Sequence, residues 1–108
     1  MTWRKDDAGK PQLTLLPRRA LGAVAVVMEH GARKYGAHNW EKAPSPVPYV
    51  NAALRHLFEQ GEADCPVLDE DSGLPALAHA AASVLIALEL ALRQDEAEQD
   101  DDGANWMP

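Results

Sequence analysis

At 108 residues the chain has the length of one domain with a modest core, and its 46% apolar, 25% charged composition is ordinary for a globular protein. The formal charge of −7 is uneven: residues 95–102 carry six acids and no base, leaving eleven acids against ten bases elsewhere. That near-neutral body has no basic field for nucleic acid. One cysteine excludes an internal disulfide and fits a reducing cytoplasm.

The start, MTWRKDDAGK, has no apolar run after its charges and does not read as a secretory signal. Residues 1–12 are polar and read as an extended arm. Leu13 to Leu16 form a short apolar step. Pro17 suits the first turn of a helix, which is expected from Pro17 to about Ala32 with Leu21, Val24, Val27 or Met28, and Gly31 or Ala32 on its core side.

Residues 33–48 interrupt the pattern, since Gly36, Pro44, Pro46 and Pro48 exclude a continuous helix. Lys34, Tyr35, Asn39 and Trp40 stand together there. A cation, two aromatic rings and an amide can read a base or a phosphate, or can simply close the end of a bundle.

A second helix is expected over Tyr49 to Gly61, with Val50, Ala53, Leu54 and Leu57 on its buried face. Arg55, His56, Glu59 and Glu62 would share a neighbouring face, because residues three and four apart lie over one another. Two carboxylates at that spacing can hold Mg²⁺, which prefers oxygen ligands and keeps several waters. The plain alternative is a solvated surface, with Glu59 paired to Arg55.

Residues 62–73 form an acidic connection. Asp69, Glu70 and Asp71 either supply a further carboxylate to the same ion or favour the next helix's N-terminus. Asp71 or Ser72 suits its N-cap. Cys65 reads as structural.

The third helix is expected from Leu74 to Arg93. Leu77, Ala81, Val84, Leu85, Leu88, Ala91 and Leu92 make a surface too broad for two short partners, so oligomerisation through this helix is expected. The longest apolar run, Leu74 to Ala82, contains Pro75 and His79 and is too short to cross a bilayer, so no membrane role is expected. His79 is either a core histidine or a group facing a cleft, with Ser83 one turn later. Residues 1–93 form the domain, and 94–108 read as an acidic disordered tail in which Trp106 and Met107 could dock. No strand is expected. Phosphate-loop, zinc-finger and nucleophile-elbow spacings do not occur, so any chemistry is carboxylate-and-metal chemistry.

Lys10-Pro11, Leu13, Leu15-Leu16-Pro17, Gly31-Ala32, Lys34-Tyr35-Gly36, Asn39-Trp40, Arg55-His56-Leu57, Gly61-Glu62, Asp69, Ser72-Gly73 and Leu77-Ala78-His79-Ala80 follow in order over residues 10–92. This ordered set resembles the phage dATP/dGTP diphosphohydrolase family, which is similar to the MazG-like nucleoside triphosphate pyrophosphohydrolases. The resemblance implies an all-α fold of three main helices in an oligomeric bundle, as a homodimer or homotetramer. It implies Mg²⁺-dependent cleavage of a (deoxy)nucleoside triphosphate to the monophosphate and pyrophosphate, with Mn²⁺ as a substitute ion, in the cytoplasm, or the host's if phage-encoded. Glu59 and Glu62 match the MazG-like E-x-x-E. The following E-x-x-D is not kept, as Ala76 and His79 stand there. Asp71 replaces an expected Glu, and Ser83 an expected Asn.

On this reading Glu59, Glu62, Asp69 and Asp71 hold the ion. Lys34, Arg55 and His56 bind phosphate, Tyr35, Asn39, Trp40 and Ser83 bind the rest of the substrate, and His79 is a ligand or positions water. Glu62→Ala is then expected to remove turnover and leave the fold. Two other classes compete. A non-catalytic helical module would bind nucleotide without hydrolysis. A small DNA-binding regulator would need a basic recognition helix that this chain does not have.

Overall fold

The structure, a computed structural model, describes residues 2–98. The expected docking of Trp106 and Met107 and the tail from residue 99 onward lie outside the described residues. Within them the fold is all-α: α1 spans Arg18–Tyr35, α2 Val47–Gln60 and α3 Ala76–Glu98, with single 3₁₀ turns at Leu13–Leu15 and Asn39–Lys42. The only β-type pairing among the described residues is an isolated bridge between Leu68 and Pro75.

Local signals account for most helix ends. Pro17 caps α1 and Pro46 caps α2, with a further proline in the first turn of α2. Gly36 and Gly61 end the same two helices, their N–H groups donating to the Ala32 and Leu57 carbonyls at 2.8 and 3.0 Å. Gly61 holds φ +58°, a conformation that other residues adopt only at a cost. Four boundaries differ from expectation by two residues or more. The second helix starts at Val47 rather than Tyr49. The first helix continues past Ala32 to Tyr35, because a glycine at 31 weakens a helix without ending it. The third starts at Ala76, where the Pro75 carbonyl takes the first helical bonds from Ala78 and His79, so neither Asp71 nor Ser72 is its N-cap. It also continues to Glu98, which makes residues 94–98 helical.

Both shorter helices pack against α3, α2 more extensively than α1. The packing is done by small side chains. Ala80 and Ala82 are 3% exposed, while Val84, Leu85 and Leu88 are 47–51% exposed. Of the expected α2 face only Ala53 is buried, and Val50, Leu54 and Leu57 are half exposed. Periodicity finds a face but not its depth of burial: alanines let the helices approach, and the larger ridges then point away from the contact. Among the described residues no large side chain is fully buried, and the radius of gyration is 17.0 Å against about 13 Å for a compact domain of this length.

By length and composition alone, Ala76–Ala97 within α3 could cross a membrane. The sequence reading considered only the shorter run to Ala82. The core helix of a globular bundle passes the same test, and α3 carries His79 on its cleft side and the Glu89–Arg93 ion pair in its second half.

Candidate active site

The α2 face that meets the cleft is Ala52, Arg55, His56 and Glu59, at offsets of three, four and seven. Glu62 is not part of it. The helix stops at Gln60, Gly61 turns the chain, and Glu62 is exposed on the far side of that turn. The E-x-x-E spacing therefore does not place two carboxylates on one helix.

The second carboxylate comes from the connection to α3. Gln60 is buried and pins the start of that segment. Its Nε2 donates to the Ala63 carbonyl at 2.9 Å and to the Cys65 carbonyl at 3.0 Å, and its Oε1 accepts from the Val67 N–H at 3.0 Å. The chain then doubles back, with Asp69 N–H donating to Leu74 O at 2.8 Å and Ala76 N–H to Val67 O at 2.7 Å. Gly73 closes this turn at φ +72°. Asp69 Oδ1 accepts from the Asp71 and Ser72 N–H groups at 3.0 and 3.1 Å, and Oδ2 lies 3.8 Å from His56 Nδ1. Burial pushes the Asp69 carboxyl up. The two backbone donors, with His79 and His56 nearby, outweigh it and hold the group below the usual carboxylate range.

Glu59 Oε1 lies 3.1 Å from His56 Nδ1. Glu59 thus pairs with His56 rather than with Arg55, which has no carboxylate partner among the described residues. One ligand atom each from His56, Glu59 and Asp69 falls within 4.8 Å of the other two, the one such group among the described residues. All three are half-buried. A carboxylate can only accept, so with Nδ1 protonated His56 holds Glu59 in place, and with Nδ1 bare it could offer a third donor atom to a cation.

His79 backs this group. Its ring stacks on His56 with centroids 4.6 Å apart, and meets His30 of α1 edge-on at 6.3 Å. Its Nε2 is 2.7 Å from Ser72 Oγ, which also accepts from the Leu74 N–H at 3.1 Å. Burial, then the neighbouring His56, pushes the His79 pKa below the usual histidine value and favours a neutral ring.

The cleft has a volume of about 530 Å³. His30, Lys34 and Tyr35 line it from α1, and Asp71 and Ser72 from the turn. Lys34 sits 5.2 Å from the Tyr35 ring centroid. Ser83 is buried on α3 and does not line the cleft. Asn39 and Trp40 line a neighbouring hollow that shares Tyr35 with the cleft. Cys65 is exposed and free. Sequence reasoning missed three residues. Gln60 is seven positions after buried Ala53 and so on its face, and His30 is four before Lys34. Ser72 appeared as a cap and as part of the Ser72-Gly73 motif, with no role in the site.

A family model described as dATP/dGTP diphosphohydrolase, N-terminal, matches residues 2–101. The chain belongs to this family. A dATP/dGTP diphosphohydrolase of Salmonella phage PMBT28 is 34% identical to it over 85 residues, which are 79% of this chain and 28% of the phage protein. The chain thus spans less than a third of that relative's length. No solved structure matches it. Membership bears out the family expectation drawn from the ordered short motifs, and the cleft just described lies wholly within the matched residues.

Proposed function

We propose that this chain carries the active centre of a divalent-metal-dependent deoxynucleoside triphosphate pyrophosphohydrolase, which splits dATP or dGTP into the monophosphate and pyrophosphate. One arrangement supports this most: Glu59 and Asp69, from two elements, converge with His56 in a cleft that also presents Lys34 and Arg55. The printed name of the Salmonella phage relative supports the purine deoxynucleotides.

The donor set suits Mg²⁺, which is usually held by one or two carboxylates with waters and substrate phosphate. Mn²⁺ takes the same oxygen donors. When bound, such an ion offsets phosphate charge and makes an adjacent water more acidic. Glu59 and Asp69 would hold it, with Asp71 beside them on the cleft wall. Glu62 is a weaker candidate because it is exposed beyond the end of α2. Lys34 and Arg55 would bind phosphate oxygens, keeping the anion in a cleft whose carboxylates alone would repel it. His79 would fix the His56 ring by stacking, itself held by Ser72. Water adds across the α–β phosphoanhydride, and pyrophosphate leaves. Such a substrate fits a cytoplasmic setting.

The test is pyrophosphate release from a panel of deoxynucleoside and nucleoside triphosphates, with Mg²⁺ and with excess chelator. Release from dATP or dGTP that stops with chelator is expected. Nucleotide binding without release would return the chain to the non-catalytic module.

The half-exposed ridges on α3 support assembly as a homodimer or homotetramer. Leu21, Leu57, Leu77, Val84 and Leu85 line an apolar groove between the three helices. Fully burying one such side chain contributes about 1.5–3 kcal/mol, and roughly half of that is withheld at half exposure. Val84→Glu with Leu88→Glu is expected to shift the chain to monomer in light scattering. An unchanged mass would remove α3 from the interface.

A further inference from the structure

Beside the cleft, across Tyr35, lies a hollow of about 310 Å³. Its walls differ in kind from the cleft's. Met28, Gly31, Tyr35, Trp40 and Tyr49 make it largely apolar and aromatic, Asn39 adds an amide, and among the described residues no carboxylate lines it. Concave sites of this size, aromatic with a few polar groups, accept small ring systems. Nucleobases offer flat faces that stack on aromatic side chains whatever their identity.

The position of Tyr35 links the two spaces. Tyr35 lines both spaces, so a triphosphate held at Lys34 and Arg55 in the cleft has this shared wall within the same site. Gly31 lies one turn before Tyr35 in the same helix. A Cβ built there meets nothing within 4 Å, and the backbone is helical. Glycine is a poor residue inside a helix. Gly22, earlier in the same helix, is equally open but does not line this hollow, whereas the space above Gly31 is part of it.

The opposite wall is braced. The Arg93 guanidinium of α3 lies 5.1 Å from the Trp40 ring centroid. It also donates to Glu41 at 3.2 Å and to Glu89 at 2.8 Å, which ties the Asn39–Lys42 turn to α3. His38, at the head of that turn and on the rim of the hollow, holds φ +62°, a left-handed conformation that non-glycine residues adopt uncommonly.

We infer that this hollow is the nucleobase subsite for the triphosphate bound in the cleft, with Gly31 setting its depth and Arg93 holding its Trp40 wall. The inference rests on the proposed function and adds to it the residues that decide whether a base fits.

Gly31→Leu introduces a helix-favouring side chain into the hollow and leaves the cleft's own residues in place. Titration calorimetry on the full chain with Mg²⁺ would use two probes. One is the α,β-methylene analogue of dATP, which resists cleavage at the α–β linkage. The other is inorganic tripolyphosphate, which has phosphates and no base. Gly31→Leu is expected to bind the dATP analogue about tenfold or more weakly, and to bind tripolyphosphate as the unmodified chain does. Arg93→Met leaves α1 untouched and is expected to weaken the analogue by several-fold, again with tripolyphosphate unaffected. Unchanged binding of the analogue, or equal weakening of both probes in the two variants, overturns the base subsite and leaves the cleft assignment standing. If the unmodified chain binds neither probe, both readings fall together.

Discussion

Glu59→Gln is expected to lower metal-dependent pyrophosphate release by about 10²–10³-fold, the scale of losing one preorganised group that stabilises transition-state charge. Glutamine keeps the shape and a hydrogen-bond acceptor for His56 and removes the negative charge that would hold the ion. The unfolding midpoint should move little, because Glu59 is a half-buried side chain on a cleft wall and its hydrogen-bond partner is retained. Glu62→Gln, three residues later, is expected to stay within about threefold of the unmodified chain, since surface substitutions away from a site do little. Parallel steady-state assays of the two variants decide between the helix spacing read from the sequence and the cluster seen in the structure. Equal loss in both would restore the E-x-x-E pair.

The second large effect is on stability. Gln60→Ala leaves the Val67 N–H without its acceptor and the Ala63 and Cys65 carbonyls without their donor. Ala63 and Cys65 are exposed, so water can reach their carbonyls, whereas leaving the part-buried Val67 N–H unpaired costs about 1–3 kcal/mol. For a chain of this size each 1 kcal/mol lowers the midpoint by about 4–8 °C. A thermal melt at fixed protein concentration should show a drop in that range or larger. Concentration must be held because assembly would itself shift the midpoint. The activity should fall as well, since the segment that Gln60 pins leads within a few residues to Asp69. A melt unchanged within error would mean that water replaces the glutamine and that the segment is held elsewhere.

Much of this was legible because helix ends are local. Pro17, Gly36, Pro46 and Gly61 act through their own φ, ψ and N–H groups, and the helices begin and stop beside them. The family was legible from ordered short motifs for a different reason, since no one of them is specific. The site was only partly legible. Glu59 and Asp69 were singled out, but their meeting depends on a doubled-back segment whose pin, Gln60, makes no sequence pattern with the residues it binds. Glu62 looked equivalent to Glu59 by spacing, and a single positive-φ glycine between them removes that equivalence. Ser83 looked equivalent to His79 by one helical turn, but it is buried and does not line the cleft. Burial was least legible. The apolar stripe of α3 was correctly seen as broad, yet its alanines, not its leucines, are what the single chain covers.

On the proposed function, His56, Glu59 and Asp69 together hold the metal ion. Electron paramagnetic resonance of Mn²⁺, titrated into the chain with the dATP analogue present, tests it most directly. Bound Mn²⁺ should be retained in Glu62→Gln and lost in Glu59→Gln and in Asp69→Asn. Retention in the latter two, or loss in Glu62→Gln, would contradict the site described here.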